Sequence, residues 1–244
     1  MPNLLLSLNK LLCVYPGDIA GSRAEPYMIN IFFELDWPYV QDPAMPGNFT
    51  GSARVRTSTG PVIGNLGVAK MSAGEVVDIP PAIGREWADI SWAIPPENTR
   101  SGALGVVSIL MEHDAFTEAA VQSIRDQLRS RIQSRLDNLV LTKPQTPPTA
   151  PFTPAFTKGD VEAALASELA LTPMRLYNMG MSSMSFFENV KAALHPDDLV
   201  DAAVFMVSYA DVVSQLDRTI ELEADLVNPM LKGAFKLYGT VTTI

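Results

Sequence analysis

The sequence predicts a mainly β chain with an α insertion, an antiparallel β-sandwich of about eight strands interrupted by a helical segment. Three observations predict it. Tyr27–Trp37 reads as an alternating strand, with Tyr27, Ile29, Ile31, Phe33, Leu35 and Trp37 on one face and Asn30, Glu34 and Asp36 on the other. Short apolar segments bounded by glycine and proline recur along the first half of the chain. A buried strand at Val106–Leu110 then runs, without a linker, into one long amphipathic helix.

The first strand is expected at Leu4–Tyr15, in two alternating phases broken by a bulge near Asn9 and Lys10 and turned by Pro16 and Gly17. Tyr27–Trp37 follows as a central strand with one face to the core, and Asn30, Glu34 and Asp36 on the other. Further strands are expected at Ala53–Thr57, Val62–Lys70, Val76–Ile79, Trp87–Ile94 and Ala103–Met111.

The helix rests on spacing. Val121, Ile124, Leu128, Ile132, Leu136 and Leu139 recur at three- and four-residue steps, one stripe at about 100° per residue, with Asp114 and Thr117 as candidate N-caps. Arg125 and Arg135 fall at roughly 40° from the stripe centre, and Arg129 and Arg131 at roughly 80°, so arginines border the apolar face on both sides. Such a helix is expected to pack on its own sheet with arginine stems covering its edges; the alternative is a helix lying on an anionic membrane or a partner.

Leu141–Lys158 carries Pro144, Pro147, Pro148, Pro151 and Pro154 among threonines and reads as an extended, exposed tether. Asp160 is the expected cap of a helix over Val161–Leu171, which Pro173 interrupts or restarts. The methionines that follow (Met174, Met179, Met181, Met184) suit a packing layer against the sheet. Strand patterning returns at Ala203–Tyr209, Thr219–Ala224 and Ala234–Thr243. The division is therefore 1–114 for the first part of the sandwich, 115–195 for the helical insertion with its Pro/Thr-rich tether at 141–158, and 196–244 for the closing strands.

Composition narrows the function classes. A core built from 244 residues needs no staples, and the lone Cys13 cannot form an intrachain disulfide and reads as a small buried apolar residue. The net charge of −9 and pI near 4.7 argue against nucleic acid as a partner. No run is long and apolar enough for a transmembrane helix. No signal peptide is recognised, because Asn9 and Lys10 interrupt the leading leucines, and the cytoplasm is the default location. Phosphate-cradling glycine loops, nucleophile elbows and paired-cysteine or His-Glu-x-x-His metal signatures are all lacking, so an enzyme is not the leading reading.

One stretch carries a resemblance. Asp18-Ile19-Ala20-Gly21-Ser22-Arg23-Ala24-Glu25-Pro26-Tyr27, running into an alternating strand, resembles the first acidic loop of the calcium- and phospholipid-binding β-sandwich domains of the protein kinase C and synaptotagmin type. Glu112-His113-Asp114 after Val107–Met111 is similar to the start of that family's second acidic loop, and Asp197-Asp198-Leu199-Val200-Asp201 to its end. Here Glu25 replaces an aspartate and Asp201 a glycine, and the helical insertion lies inside the second loop. The resemblance implies a sandwich with a calcium site at its acidic loops.

The same residues have a chemical case of their own. Hard cations take several oxygen ligands from separate loops, and Asp18, Glu25, Glu112, Asp114, Asp197 and Asp198 would converge if the insertion leaves and re-enters the sheet at one point. Calcium is then the expected cofactor. His113 and His195, the only histidines, flank the same two junctions, so a nitrogen-and-oxygen transition-metal site is the second metal reading; against both stands the plainer one, favoured by how often Asp marks such positions, in which Asp114 and Asp197 or Asp198 are solvent-exposed caps and turn residues and the histidines lie on the surface. Function follows in the same order. First comes a non-enzymatic binding module, cation-assisted, that engages a lipid surface or a protein partner; then a structural or assembly subunit that self-associates; then a metal-dependent hydrolase.

Overall fold

The computed structural model describes residues 4–17, 24–36, 52–88, 102–142, 156–185, 198–208, 211–212, 219–228 and 233–244. It is mainly antiparallel β, in two sheets, with the three longer helices packed on one of them. The strands are β1 (Leu4–Tyr15), β2 (Pro26–Asp36), β3 (Ser52–Thr57), β4 (Val76–Asp78), β5 (Arg85–Ala88), β6 (Ala103–Glu112), β7 (Asp198–Ser208), β8 (Ile220–Asn228) and β9 (Gly233–Thr243). The helices are α1 (Pro81–Gly84), α2 (Glu118–Thr142), α3 (Lys158–Leu169) and α4 (Pro173–Gly180), the last running into a 3-10 turn at Met181–Ser183.

One sheet has the order β4-β1-β9-β8, with β5 also paired to β1, and the other the order β3-β2-β6-β7. Between them lies one apolar layer, built from Leu6, Leu8 and Leu11 of β1, Met28 and Phe32 of β2, Val106 and Leu110 of β6, and Phe235, Leu237 and Val241 of β9. A second layer lies on the far face of the four-stranded sheet, where Tyr27, Ile29, Ile31, Phe33 and Leu35 meet the α2 stripe, Val161 and Leu165 of α3, and Leu176 and Met179 of α4. The molecule therefore stacks sheet, sheet and helices, and β2 and β6 are buried on both faces.

That double burial revises the reading of β2. Its even-numbered face is turned not to solvent but to the sandwich interior, because Met28 and Phe32 dominate it and Asn30, 3% exposed, finds partners there. Trp37 lies outside the described residues. The bulge expected near Asn9 is present as a register shift between Leu8 and Lys10 against β9. Residues 62–70 are not a strand. Gly64 and Gly67 adopt φ of +69° and +72°, and two successive turns, Asn65 N–H to Val62 O and Gly67 N–H to Gly64 O, fold the segment back on itself. Its Asn65 side chain then pairs with Met28 as a strand would, accepting from the Met28 N–H at 3.1 Å and donating to its carbonyl at 2.7 Å. Strand β5 begins at Arg85, and residues 89–94 lie outside the described ones.

Glycine 105 sets how β2 and β6 meet. A Cβ there would lie 2.2 Å from the Phe33 ring and 2.5 Å from the Phe205 carbonyl, so only hydrogen leaves room for Phe33 to lie across its cross-strand partner.

Helix α2 packs on its own sheet. Thr117 caps it, its hydroxyl accepting from the Ala120 N–H at 3.2 Å. The bordering arginines fasten it on two sides. Arg125 reaches the Gly60 carbonyl at 3.1 Å and Arg129 the Val55 carbonyl at 3.3 Å, while Arg131 and Arg135 reach Glu168 of α3 at 3.9 and 3.2 Å. Helix α3 starts earlier than expected, at Lys158. Thr157 is its N-cap, and Asp160 sits at N3 of a reciprocal capping box, where its carboxylate accepts from the Thr157 N–H at 2.7 Å. Pro173 restarts the chain as the first residue of α4, capped by Thr172. The tether prolines lie outside the described residues, but Phe156 at its end is buried. Of the methionines, Met179 and Met184 pack inward and Met174 and Met181 are exposed.

Candidate functional site

The acidic junction comes first. Glu112, the last residue of β6, is the register partner of both Pro26 in β2 and Asp198 in β7, so the insertion leaves the sheet and re-enters it on a single rung. Glu25 stands beside that rung, its backbone carbonyl accepting from the His113 N–H at 3.0 Å while its carboxylate meets Lys70 Nζ at 2.7 Å. Glu112 is half-buried and Asp114 exposed in the link to α2, and the His113 ring sits edge-on to Tyr27 at 6.4 Å. Asp198 is placed by its backbone register, whereas Asp18, Asp197 and His195 lie outside the described residues. Among the described residues, no group of three or more His, Cys, Asp or Glu side chains is gathered closely enough to hold a metal ion. Cys13 faces the interior near this end, and burial, reinforced by the charges of Glu75 and Glu112, pushes its thiol up to about 11.

The helices carry a second charged group. Glu168 is 5% exposed and is met by Arg131, Arg135 and Arg175. Burial pushes its carboxyl up, but hydrogen bonds from Arg135, Ser167 and Arg175 and the Arg175 charge outweigh that and hold it below the ordinary carboxylate range. Beside this group an open groove of about 620 Å³ runs along the polar face of α2, lined by Gln122, Ser123, Asp126, Gln127, Ser130 and Arg131.

The third feature is the outer face of the five-stranded sheet. Side chains directly opposite in an antiparallel pair share a face, so the register can be read as rungs running from β8 to β9, β1 and β4. Glu223, Tyr238, Lys10 and Asp78 form one rung; Asp225, Lys236, Leu12 and Val76 the next; and Val227, Ala234 and Tyr15 the last. Lys236 bridges Glu223 at 2.9 Å and Asp225 at 3.2 Å, and these two carboxylates hold its ammonium above the ordinary lysine range. Tyr15, Val76 and Val227 are 45–56% exposed, with Val14 beside them at the second β1 bulge. No described element packs on this face.

Sheet edges differ sharply. Along the free edge of β3, Gln133 of α2 accepts from the Val55 N–H at 3.0 Å and donates to the Ala53 carbonyl at 2.9 Å, while Arg129 donates to the Val55 carbonyl. At the end of β8, Asp201 accepts from the Val227 N–H at 3.0 Å and Asn228 donates to the Leu199 carbonyl at 2.6 Å. Upstream of Val227, β8 is paired to β9 alone among the described strands.

Sequence reasoning placed the arginines on the flanks of α2 but missed their counter-charge, Glu168, which is separated from them by the tether. It also missed Gln133 and Asn65, whose amides act as strand substitutes. Their only signal was a polar amide beside an apolar stripe or in a glycine turn. No protein-family model matches the chain, and neither the curated proteins nor the solved structures include a match to it.

Proposed function

We propose that this chain is a non-enzymatic binding module whose ligand is a protein, docked on the outer face of the five-stranded sheet. One observation carries the reading: the four-stranded sheet is roofed by helices, whereas the other sheet turns Leu12, Tyr15, Val76 and Val227 outward with no described element over them. Exposed apolar side chains in contiguous rungs with a charged rim are the composition of a docking patch. The rim favours protein over lipid, because Glu221, Glu223 and Asp225 on the same face would meet the headgroups of an anionic membrane as like charges.

The test is quantitative capture from a lysate by the native chain, by a Tyr15→Lys/Val227→Lys variant and by a helix-side Ser130→Lys variant. A protein retained by the native chain and the helix-side variant but lost with the double variant supports the reading. Equal retention by all three removes it. Concentration-dependent mass in solution, abolished by the double variant, would make the partner a second copy and the chain an assembly subunit.

A cation-assisted module remains the second reading. The register of Glu112 against Asp198, next to Glu25, favours it, together with the resemblance to calcium-binding sandwiches. Calcium would then stabilise the fold by about 2.7 kcal/mol at a hundredfold excess over Kd. A melting temperature unchanged by millimolar calcium, magnesium, manganese and zinc would end that reading.

A further inference from the structure

We infer that β8 is a receptor edge for strand addition, and that its occupant is an extended segment of a partner protein with apolar and basic residues in alternation. The inference rests on the protein-binding reading above and names the partner's chemistry.

The other edges are blocked or short. Gln133 and Arg129 occupy the backbone groups of β3; β4 and β5 are only three and four residues long; and the eleven-residue β7 has its Leu199 carbonyl taken by Asn228 and its Ala202 N–H by Asp201. In β8 the blocking stops at Val227, whose N–H is taken by Asp201. From Ile220 to Leu226 the strand pairs with β9 on one side and with no described strand on the other. That stretch offers an incoming strand backbone groups that no described residue pairs.

Side chains then select the occupant on both faces. Ile220, Leu222 and Ala224 are partly buried at the rim of the sandwich core and would be completed by apolar residues of an added strand. Glu221, Glu223 and Asp225 point to the outer face, where Lys236 answers the last two and no described cation answers Glu221. A second copy of β8 would set carboxylate against carboxylate, which disfavours self-pairing. Lysine or arginine at alternate positions would turn the same rungs into attractive pairs, so the edge excludes its own copy and accepts a basic strand.

The experiment is fluorescence anisotropy of the full chain with a capped, labelled peptide of alternating valine and lysine. Three comparison peptides are needed: glutamate in place of lysine, the same residues in two blocks, and the alternating peptide N-methylated at every second backbone nitrogen. The alternating peptide is expected to bind, more weakly at high salt, and the other three to bind at least about tenfold less well. Glu221→Lys/Asp225→Lys should weaken it by about tenfold, and the helix-side Ser130→Lys should leave it within about twofold. Equal binding of the N-methylated or block peptide would mean charge adhesion without strand addition, and would overturn the inference, as would no binding of the alternating peptide. Either failure, with the lysate contrast at Tyr15 and Val227 intact, leaves the docking face standing; loss of that contrast with peptide binding intact does the reverse.

Discussion

Ser108 donates its hydroxyl to the side-chain carbonyl of Asn30 at 2.8 Å, inside the layer between the two sheets. The Asn30 amide donates in turn to the Ile83 carbonyl at 3.0 Å, so the pair ties β2 and β6 to α1, which packs beside β1. Asn30→Leu would orphan both the Ile83 carbonyl and the Ser108 hydroxyl, a loss of about 2–3 kcal/mol. Denaturant melts of Asn30→Leu, Ser108→Ala and the double variant check it: the two single losses should sum to at least about 0.5 kcal/mol more than the double, since the residues share one bond.

Gly105→Ala should destabilise by about 3 kcal/mol, because the new methyl meets the Phe33 ring and the Phe205 carbonyl at once and backbone has to move. A companion Phe33→Leu change that frees the ring side should recover part of the loss. If the alanine variant melts like the native chain, β2 and β6 do not approach as described.

Glu168→Gln should cost about 2–3 kcal/mol at neutral pH, because three guanidinium groups lose their shared carboxylate. The folded-state pKa lies below its ordinary value, so this contribution is present above the unfolded carboxylate pKa and is lost as pH falls through the folded one. Urea melts across pH should therefore show the gap between native and variant closing below about pH 4. A gap constant to lower pH would exclude the ionised carboxylate as its source.

Gln133→Ala bares the Val55 N–H and the Ala53 carbonyl at the β3 edge. The expected result is a loss of about 1–2 kcal/mol and a new, concentration-dependent association measured by sedimentation, since an open edge recruits other edges. Gln133→Glu restores one acceptor only and should fall between the two.

Cys13 should resist alkylation in the folded protein and react on unfolding. Its folded pKa is about 11 against 9.0 for the free thiol, so the folded state holds the proton longer and stability declines as pH rises from 9 towards 11. Cys13→Ala should remove that decline, measured as the alkaline limb of the melting temperature.

Much of this architecture can be read along single strands. The alternation in β2, the bulge in β1 and the inward set Phe235, Leu237 and Val241 each follow from local spacing, as does the α2 stripe. What spacing cannot show is the partner across the fold. Asn30 looks like a solvent residue until Ser108, 78 positions away, is placed beside it. Residues 62–70 carry apolar residues at strand-like intervals, and the positive φ at Gly64 and Gly67 decides for turns. Glu25 offers a free ligand in the sequence, but Lys70 is at its carboxylate in the structure. The rung joining Pro26, Glu112 and Asp198 matches the two acidic motifs noted in the sequence, which bracket an insertion that begins and ends at one place.

That shared rung has a mechanical meaning. Strands β6 and β7 are antiparallel, and the helical layer hangs from the same end of both. A force applied through the helices would draw β6 and β7 in the same sense, because both are attached to the layer at that end, so the rungs between them are not opposed and the ladder between β6 and β2 takes the load in shear. The helical layer is thus a handle on β6 and β7 together, and a pull on it should meet the resistance of a whole ladder while the β1–β9 ladder, outside the line of load, holds.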